Sequence, residues 1–297
     1  MTTVYLPMLM GAMLAVALGV ETQHASADGG SSMVSEGFSH SLWDRVLSDH
    51  VDERGMVDYT AIAGDERYQQ YVRQLAAADV TRLSSSDAKK AFWINAYNAL
   101  AISGAITVMP KEAEKRREYS VLSYKTPEDQ SGKAFFVGLR YPVGGREYTL
   151  DEIEKKILFR QWGDTKPQEI RGYARVAPDR GDPRLHFALV CCARGCPVLA
   201  NRAYEADNVG AQLDEATRRF FNDPQRSQFD LDAKVWRVSR LLEWYGGDFT
   251  SAANEPKART LSAFASRYVT DSNVAESLRD SKWRIEYLPY DWRLNIQ

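Results

Sequence analysis

Ala88-Lys-Lys-Ala-Phe-Trp-Ile-Asn-Ala-Tyr-Asn-Ala-Leu-Ala-Ile102 is hydrophobic nearly all round when wound as a helix. A helix of that kind belongs in the middle of a domain, covered on every side by other elements. Ser86 starts it. Asn95 and Asn98 lie inside it, three apart, on neighbouring positions of one face. A buried amide must find partners, because each polar atom left unpaired costs about 1–3 kcal/mol. Two roles are open for the pair: tying down loops that cross the helix, or orienting a catalytic group.

The segments around this rod read as short elements. Phe38 to His50 and Glu66 to Ala78 have apolar residues at helical spacing. Lys111 to Glu118 is a charge run, most simply a solvated helical face. Phe135 to Leu139 and Glu147 to Thr149 read as strands around the hairpin signal Gly144-Gly145. Thr149-Leu-Asp-Glu152 is a capping box that opens a helix to about Trp162. Its Asp151 and Glu154 sit in a first turn, where the helix dipole accounts for acidic residues. Asn208 to Asn222 is an amphipathic helix, Phe229 to Val238 a second hairpin, Thr260 to Tyr268 a further helix and Trp283 to Leu288 a strand. The fold class expected is α+β: one mostly helical domain over 38–297, with a few short strands and hairpins around a buried central helix.

Among 297 residues, lysines plus arginines nearly balance aspartates plus glutamates, for a formal net charge of -2, so no field suited to nucleic acid or anionic lipid is implied. Tyr5 to Val20 is apolar and uncharged, and Ala25-Ser-Ala27 supplies a small-residue cleavage pattern. Residues 1–27 therefore read as a signal peptide cut after Ala27, and 28–37 as a Gly/Ser linker. The apolar run is short for a spanning helix, which needs roughly 20 residues. The expectation is a periplasmic or secreted protein with no membrane span in its mature chain; an uncleaved anchor is the competitor.

Asp182-Pro-Arg-Leu-His-Phe-Ala-Leu-Val-Cys-Cys-Ala-Arg-Gly-Cys-Pro197 holds all three cysteines and one of the four histidines. Thiol chemistry happens here or nowhere. Asp182 and Pro183 form a helix-opening pair, and Gly195 with Pro197 a stop, so Arg184 to Ala193 reads as a helix. A buried strand from Leu185 to Cys191 is the alternative. Three cysteines allow one internal disulfide and leave one thiol over.

Ala91-Phe-Trp-Ile-Asn-Ala-Tyr-Asn-Ala-Leu100, Thr149-Leu-Asp-Glu-Ile-Glu154, Asp182 to Cys191, Gly195-Cys-Pro197, Trp244-Tyr245 with Asp248-Phe249, and Tyr290-Asp-Trp292 with Leu294-Asn295 follow in that order. The chain thereby resembles the domain of unknown function family numbered 547, from about Leu42 to the C-terminus. The resemblance implies an uncharacterised activity. It also implies exported bacterial relatives and, in some eukaryotic members, fusion to a glutaredoxin domain. Cys191 and Cys196 fall on cysteines of the family pattern. Cys192 falls where a small residue is usual, which implies packing.

Three readings of the thiols follow. In a cysteine hydrolase or acyl transferase, Cys196 is the nucleophile, His186 the base, and Asn95, Asn98 or Asp291 the orienting group. A strand would separate His186 from Cys191 by roughly 16 Å; a helix would bring them within about 8 Å along its axis. In a structural or ligand-binding module, Cys191 and Cys196 are bridged and no catalysis occurs. In a redox protein the same two cysteines cycle, although four residues separate them instead of two. Candidate catalytic residues are thus Cys196, His186, Cys191 and Asn95, and candidate binding residues Arg184, Trp93, Asn98 and Asp291. Zinc fits poorly, since Cys191-Cys192 and Cys196 lack paired ligand spacing. No cofactor is expected, and the partner expected is a small molecule or peptide.

Overall fold

A computed structural model describes residues 37–280 and 282–297. Residues 1–27, read from sequence as a signal peptide, and most of the segment 28–37 read as a linker lie outside these residues. Four helices open the described chain: α1 (Ser41–His50), α2 (Tyr59–Gly64), α3 (Glu66–Ala77) and the 23-residue α4 (Ser86–Val108). Ser85 caps α4 by accepting from the Ala88 N–H at 3.0 Å. Every residue from Ala91 to Ile102 is buried, so α4 is the rod its composition demands. Trp43 and Tyr71 of α1 and α3 stack beside it, and α2 packs against its flank. Among the described residues α4 alone is long and apolar enough to cross a bilayer, and it is the core of the domain.

Next come α5 (Ala113–Arg116), α6 (Ala134–Val137), strands β1 (Tyr141–Val143) and β2 (Arg146–Tyr148), and α7 (Pro167–Val176). The Phe135–Leu139 strand expected from sequence is instead the helical turn α6; a short apolar run carries no period that separates the two. The hairpin sits where Gly144-Gly145 places it. Both glycines take positive φ (60° and 73°), and their N–H groups donate to the Leu75 and Ala76 carbonyls at the end of α3.

The capping box forms as read: Thr149 Oγ1 accepts from the Glu152 N–H at 3.1 Å, and the Glu152 carboxylate from the Thr149 N–H at 2.8 Å. The helix it opens is a π-helix over Glu152–Leu158 and ends before Trp162. The Phe159 N–H reaches back five residues to Glu154, and that of Gln161 six to Lys155. Such widened turns recur at functional sites.

The remaining elements are α8 (Val209–Asn222), β3 (Ser227–Asp230), β4 (Val235–Ser239), α9 (Leu241–Tyr245), α10 (Leu261–Ala265), α11 (Ser272–Asp280) and β5 (Arg284–Leu288). β3 and β4 form the second hairpin, and β5 joins β4 in parallel, Trp236 opposite Ile285. Phe187, Phe220, Phe221, Trp236, Phe249 and Phe264 build a second core here, beside the one centred on α4. The architecture is α+β and mostly helical, with two small sheets.

The cysteine-bearing stretch is neither helix nor strand. Asp182 caps it, accepting from the Arg184 N–H at 3.0 Å, but only a 3-10 turn over Pro183–Phe187 follows. The cause is Asn98. Its amide donates to the Ala188 carbonyl and accepts from the Val190 N–H, both at 2.9 Å. One side chain thus takes the backbone groups that a helix or a ladder would have used.

Candidate functional site

Asn98 delivers an extended backbone to Cys191, and the chain then reverses. Cys192 holds a φ of 62°, turning its own side chain into the core and leaving Cys191 half-buried. Cys191 and Cys196 are joined by a disulfide. Cys192 is the free cysteine, buried near Tyr59, with burial pushing its thiol up to about 12. The loop between the paired cysteines is pinned from outside. Arg226 donates to the Cys196 carbonyl at 2.9 and 2.7 Å. The Gly195 N–H donates to the Asp291 carbonyl at 2.8 Å. A Cβ on Gly195 would stand 2.9 Å from both the Asp291 nitrogen and the Tyr290 ring, so only glycine admits this approach.

That approach brings the Tyr290 hydroxyl to the sulfurs, 3.2 Å from Cys196 Sγ and 3.4 Å from Cys191 Sγ. The Cys191 N–H also points at Cys196 Sγ, 3.1 Å away. Burial keeps the Tyr290 phenol well above its ordinary pKa, so it stays a donor. The two sulfurs are therefore unequal. Cys196 is 1% exposed and accepts from an N–H and an O–H; Cys191 is the more accessible.

The sulfurs line a cavity of about 240 Å³ together with His186, Glu154, Tyr97, Trp244 and Tyr290. The His186 ring lies between Phe159 and Tyr245, 4.2 and 4.1 Å between centroids. Its Nε2 is 2.9 Å from Asp248 Oδ2, and the carboxylate accepts, so the proton rests on Nε2. Glu154 comes from the π-helix, its carboxylate accepting from the Tyr97 hydroxyl at 3.5 Å. Burial raises its pKa, opposed by the neighbouring His186. Trp244, 44% exposed, forms a lip stacked on Trp292 and tilted against Tyr290. A second hollow of about 260 Å³ shares His186, Glu154 and Tyr245 and reaches Asp248. Among the described residues no group of three His, Cys, Asp or Glu side chains is placed to hold a metal.

The residues read as a site from sequence separate into two sets. Cys191, Cys196 and His186 share the cavity. Asn95 is not beside them: it clamps the Tyr204 backbone, donating to its carbonyl at 2.8 Å and accepting from its N–H at 2.9 Å. Asn98 acts on the cavity only through residues 188 and 190. Trp93 is core, donating to the Val176 carbonyl at 2.9 Å. Arg184 spans Asp182 and Asp214 at 2.7 and 2.8 Å, which raises its pKa, and is a structural ion pair. Asp291 faces outward against Arg293, which lowers its pKa, and does not orient His186. The acceptor behind the imidazole is Asp248, and the carboxyl in the cavity is Glu154. Both lie in quoted motifs, but the helix dipole accounted for Glu154 and nothing in the spacing joined Asp248 to a histidine 62 positions earlier.

The family model described as protein of unknown function, DUF547, matches residues 80–221. The match is shorter than the Leu42-to-C-terminus span read from the motifs. It takes in Glu154, His186 and both bridged cysteines and leaves Asp248 and Tyr290 outside. No curated protein and no solved structure matches this chain. Over residues 80–221 the chain is similar to DUF547, a family of unknown function.

Proposed function

We propose that the cavity binds a small thiol carrying an aromatic or apolar group and exchanges it with the Cys191–Cys196 disulfide. One observation carries this: the two sulfurs differ in access and in hydrogen bonding. Exchange requires a thiolate to attack an accessible sulfur while the other leaves, and a sulfur that accepts hydrogen bonds leaves more readily. Cys191 Sγ is the target, and Cys196 Sγ, facing the Cys191 N–H and the Tyr290 hydroxyl, is the leaving group.

The ligand thiol gives its proton to the Glu154 carboxylate, which lines the same cavity and whose pKa burial raises. Its sulfur bonds to Cys191, the bond between the cysteines breaks, and the electron pair stays on Cys196. A second ligand thiol attacks the mixed disulfide and frees Cys191. Two thiols become one ligand disulfide, and the protein pair becomes a dithiol. The His186–Asp248 pair holds the imidazole against the wall beneath Glu154. The apolar start of the chain supports export into an oxidising compartment, where a low-molecular-weight disulfide reoxidises the pair by the reverse exchange and leaves as two thiols. The isolated exported protein is then expected to begin at Asp28; a chain starting at Met1 would oppose that.

The test is to incubate the Cys196→Ser variant, its lone Cys191 activated as a mixed disulfide, and the wild type with benzyl mercaptan or 2-mercaptoethanol. An aromatic thiol adduct mapped to Cys191, formed faster than the aliphatic one, is expected. No adduct on a folded protein would overturn the reading. A second reading, a non-catalytic ligand-binding module, is favoured by the disulfide itself, which on that view is a brace inert to both thiols.

A further inference from the structure

The Cys196-Pro197 backbone has a second face, and a different cleft opens on it, of about 960 Å³. Arg54, Arg117, Arg194, Arg219 and Arg226 line it, against a single acidic side chain, Asp223. They come from five separate places: the turn after Val51, the end of α5, the disulfide loop, the last turn of α8, and the turn before β3. Arg226 is committed to Asp223 and to the Cys196 carbonyl. Arg54 pairs with Asp52 at 3.1 Å, where it is largely solvated. Among the described residues Arg117, Arg194 and Arg219 make no ion pair. Arg194 and Arg219 only touch the carbonyls of Leu294 and Glu53.

Gathering like charges in one concave surface raises the local potential and disfavours the folded chain unless an anion answers it. The overall charge of -2 shows that this is a local concentration and not a basic protein. Arginine rather than lysine supplies every one of these charges. The guanidinium fork matches oxyanions in two-point contact and is weakly hydrated, so it gives up water at small cost. The cleft is also far larger than the sulfur cavity and shares only Cys196 and Pro197 with it.

The geometry points to a binding site for a multiply charged small oxyanion, a phosphate ester or a polycarboxylate, held by Arg194 and Arg219 with Arg117 at the rim. Titration calorimetry at low salt with inorganic pyrophosphate, citrate and acetate tests it. Saturable binding of pyrophosphate or citrate at one site per chain is expected, with acetate silent; whichever binds more tightly tells phosphate from carboxylate. The R194A/R219A double variant should weaken binding at least about tenfold. Arg117→Glu, at an exposed position with no hydrogen-bond or ion-pair partner among the described residues, should weaken it as well and guards against misfolding of the double variant. No saturable binding of either polyanion, or binding that both variants leave unchanged, would overturn the assignment. Neither result bears on the thiol exchange, which is read from the other cavity.

Discussion

The polar groups around α4 and those around the sulfur cavity differ in one respect: how fully they are satisfied. Asn95 and Asn98 each spend donor and acceptor on backbone groups of a crossing loop. Arg184 is divided between two carboxylates. Nothing is left over for a ligand. In the cavity, burial keeps the Glu154 pKa raised against hydrogen bonds from Tyr97, at a long 3.5 Å, and from Tyr245, and the bridged sulfurs face open volume. Saturated polar groups mark the scaffold here, and unsaturated ones mark the site.

The largest expected effect is at Arg184. Its loss leaves the Asp182 carboxylate, 1% exposed, with its cap bond to the backbone N–H of residue 184 and, among the described residues, Lys90 at 3.8 Å as the one remaining ion-pair partner. Arg184→Ala should cost about 3–5 kcal/mol in urea denaturation, the range for stranding a buried charge. A loss near zero would move Arg184 from scaffold to site. Asn98→Ala orphans a buried carbonyl and a buried N–H, and should cost about 3 kcal/mol. It should also loosen the cavity, read as faster alkylation of reduced Cys191. Opening the disulfide is milder: a six-residue loop contributes about 2 kcal/mol. Thiol titration of the unfolded, unreduced chain should find Cys192 alone, and three thiols would contradict the bridge.

The smallest effect is electrostatic. Burial holds the Glu154 pKa above that of the unfolded chain, so folding favours its protonated form. That contribution is complete below the unfolded pKa and is lost as pH rises through the raised one. Glu154→Gln, always neutral, should therefore gain melting temperature relative to the wild type on going from pH 4 to pH 8. The same offset at both pH values would mean that Glu154 is solvated like any surface acid.

The sequence made the rod, the Thr149 capping box, the Gly144-Gly145 turn and the helix after Asn208 legible, because each is written in local spacing. The path of Ala188 to Pro197 was not. It depends on the Asn98 amide 90 positions away, which overrides a good N-cap. The cavity was half legible: rarity alone picked out Cys191, Cys196 and His186. Glu154 was hidden by a widened helix whose turn aims it inward, and Asp248 and Tyr290 by contacts that only the closed fold makes.

The reduction potential of the Cys191–Cys196 pair in the native protein, set by equilibration with a small dithiol buffer, bears on the central claim most directly. A potential above about −300 mV, within reach of low-molecular-weight thiols, is the expected result. A more negative one would make the disulfide a structural brace and leave the cavity without a working sulfur.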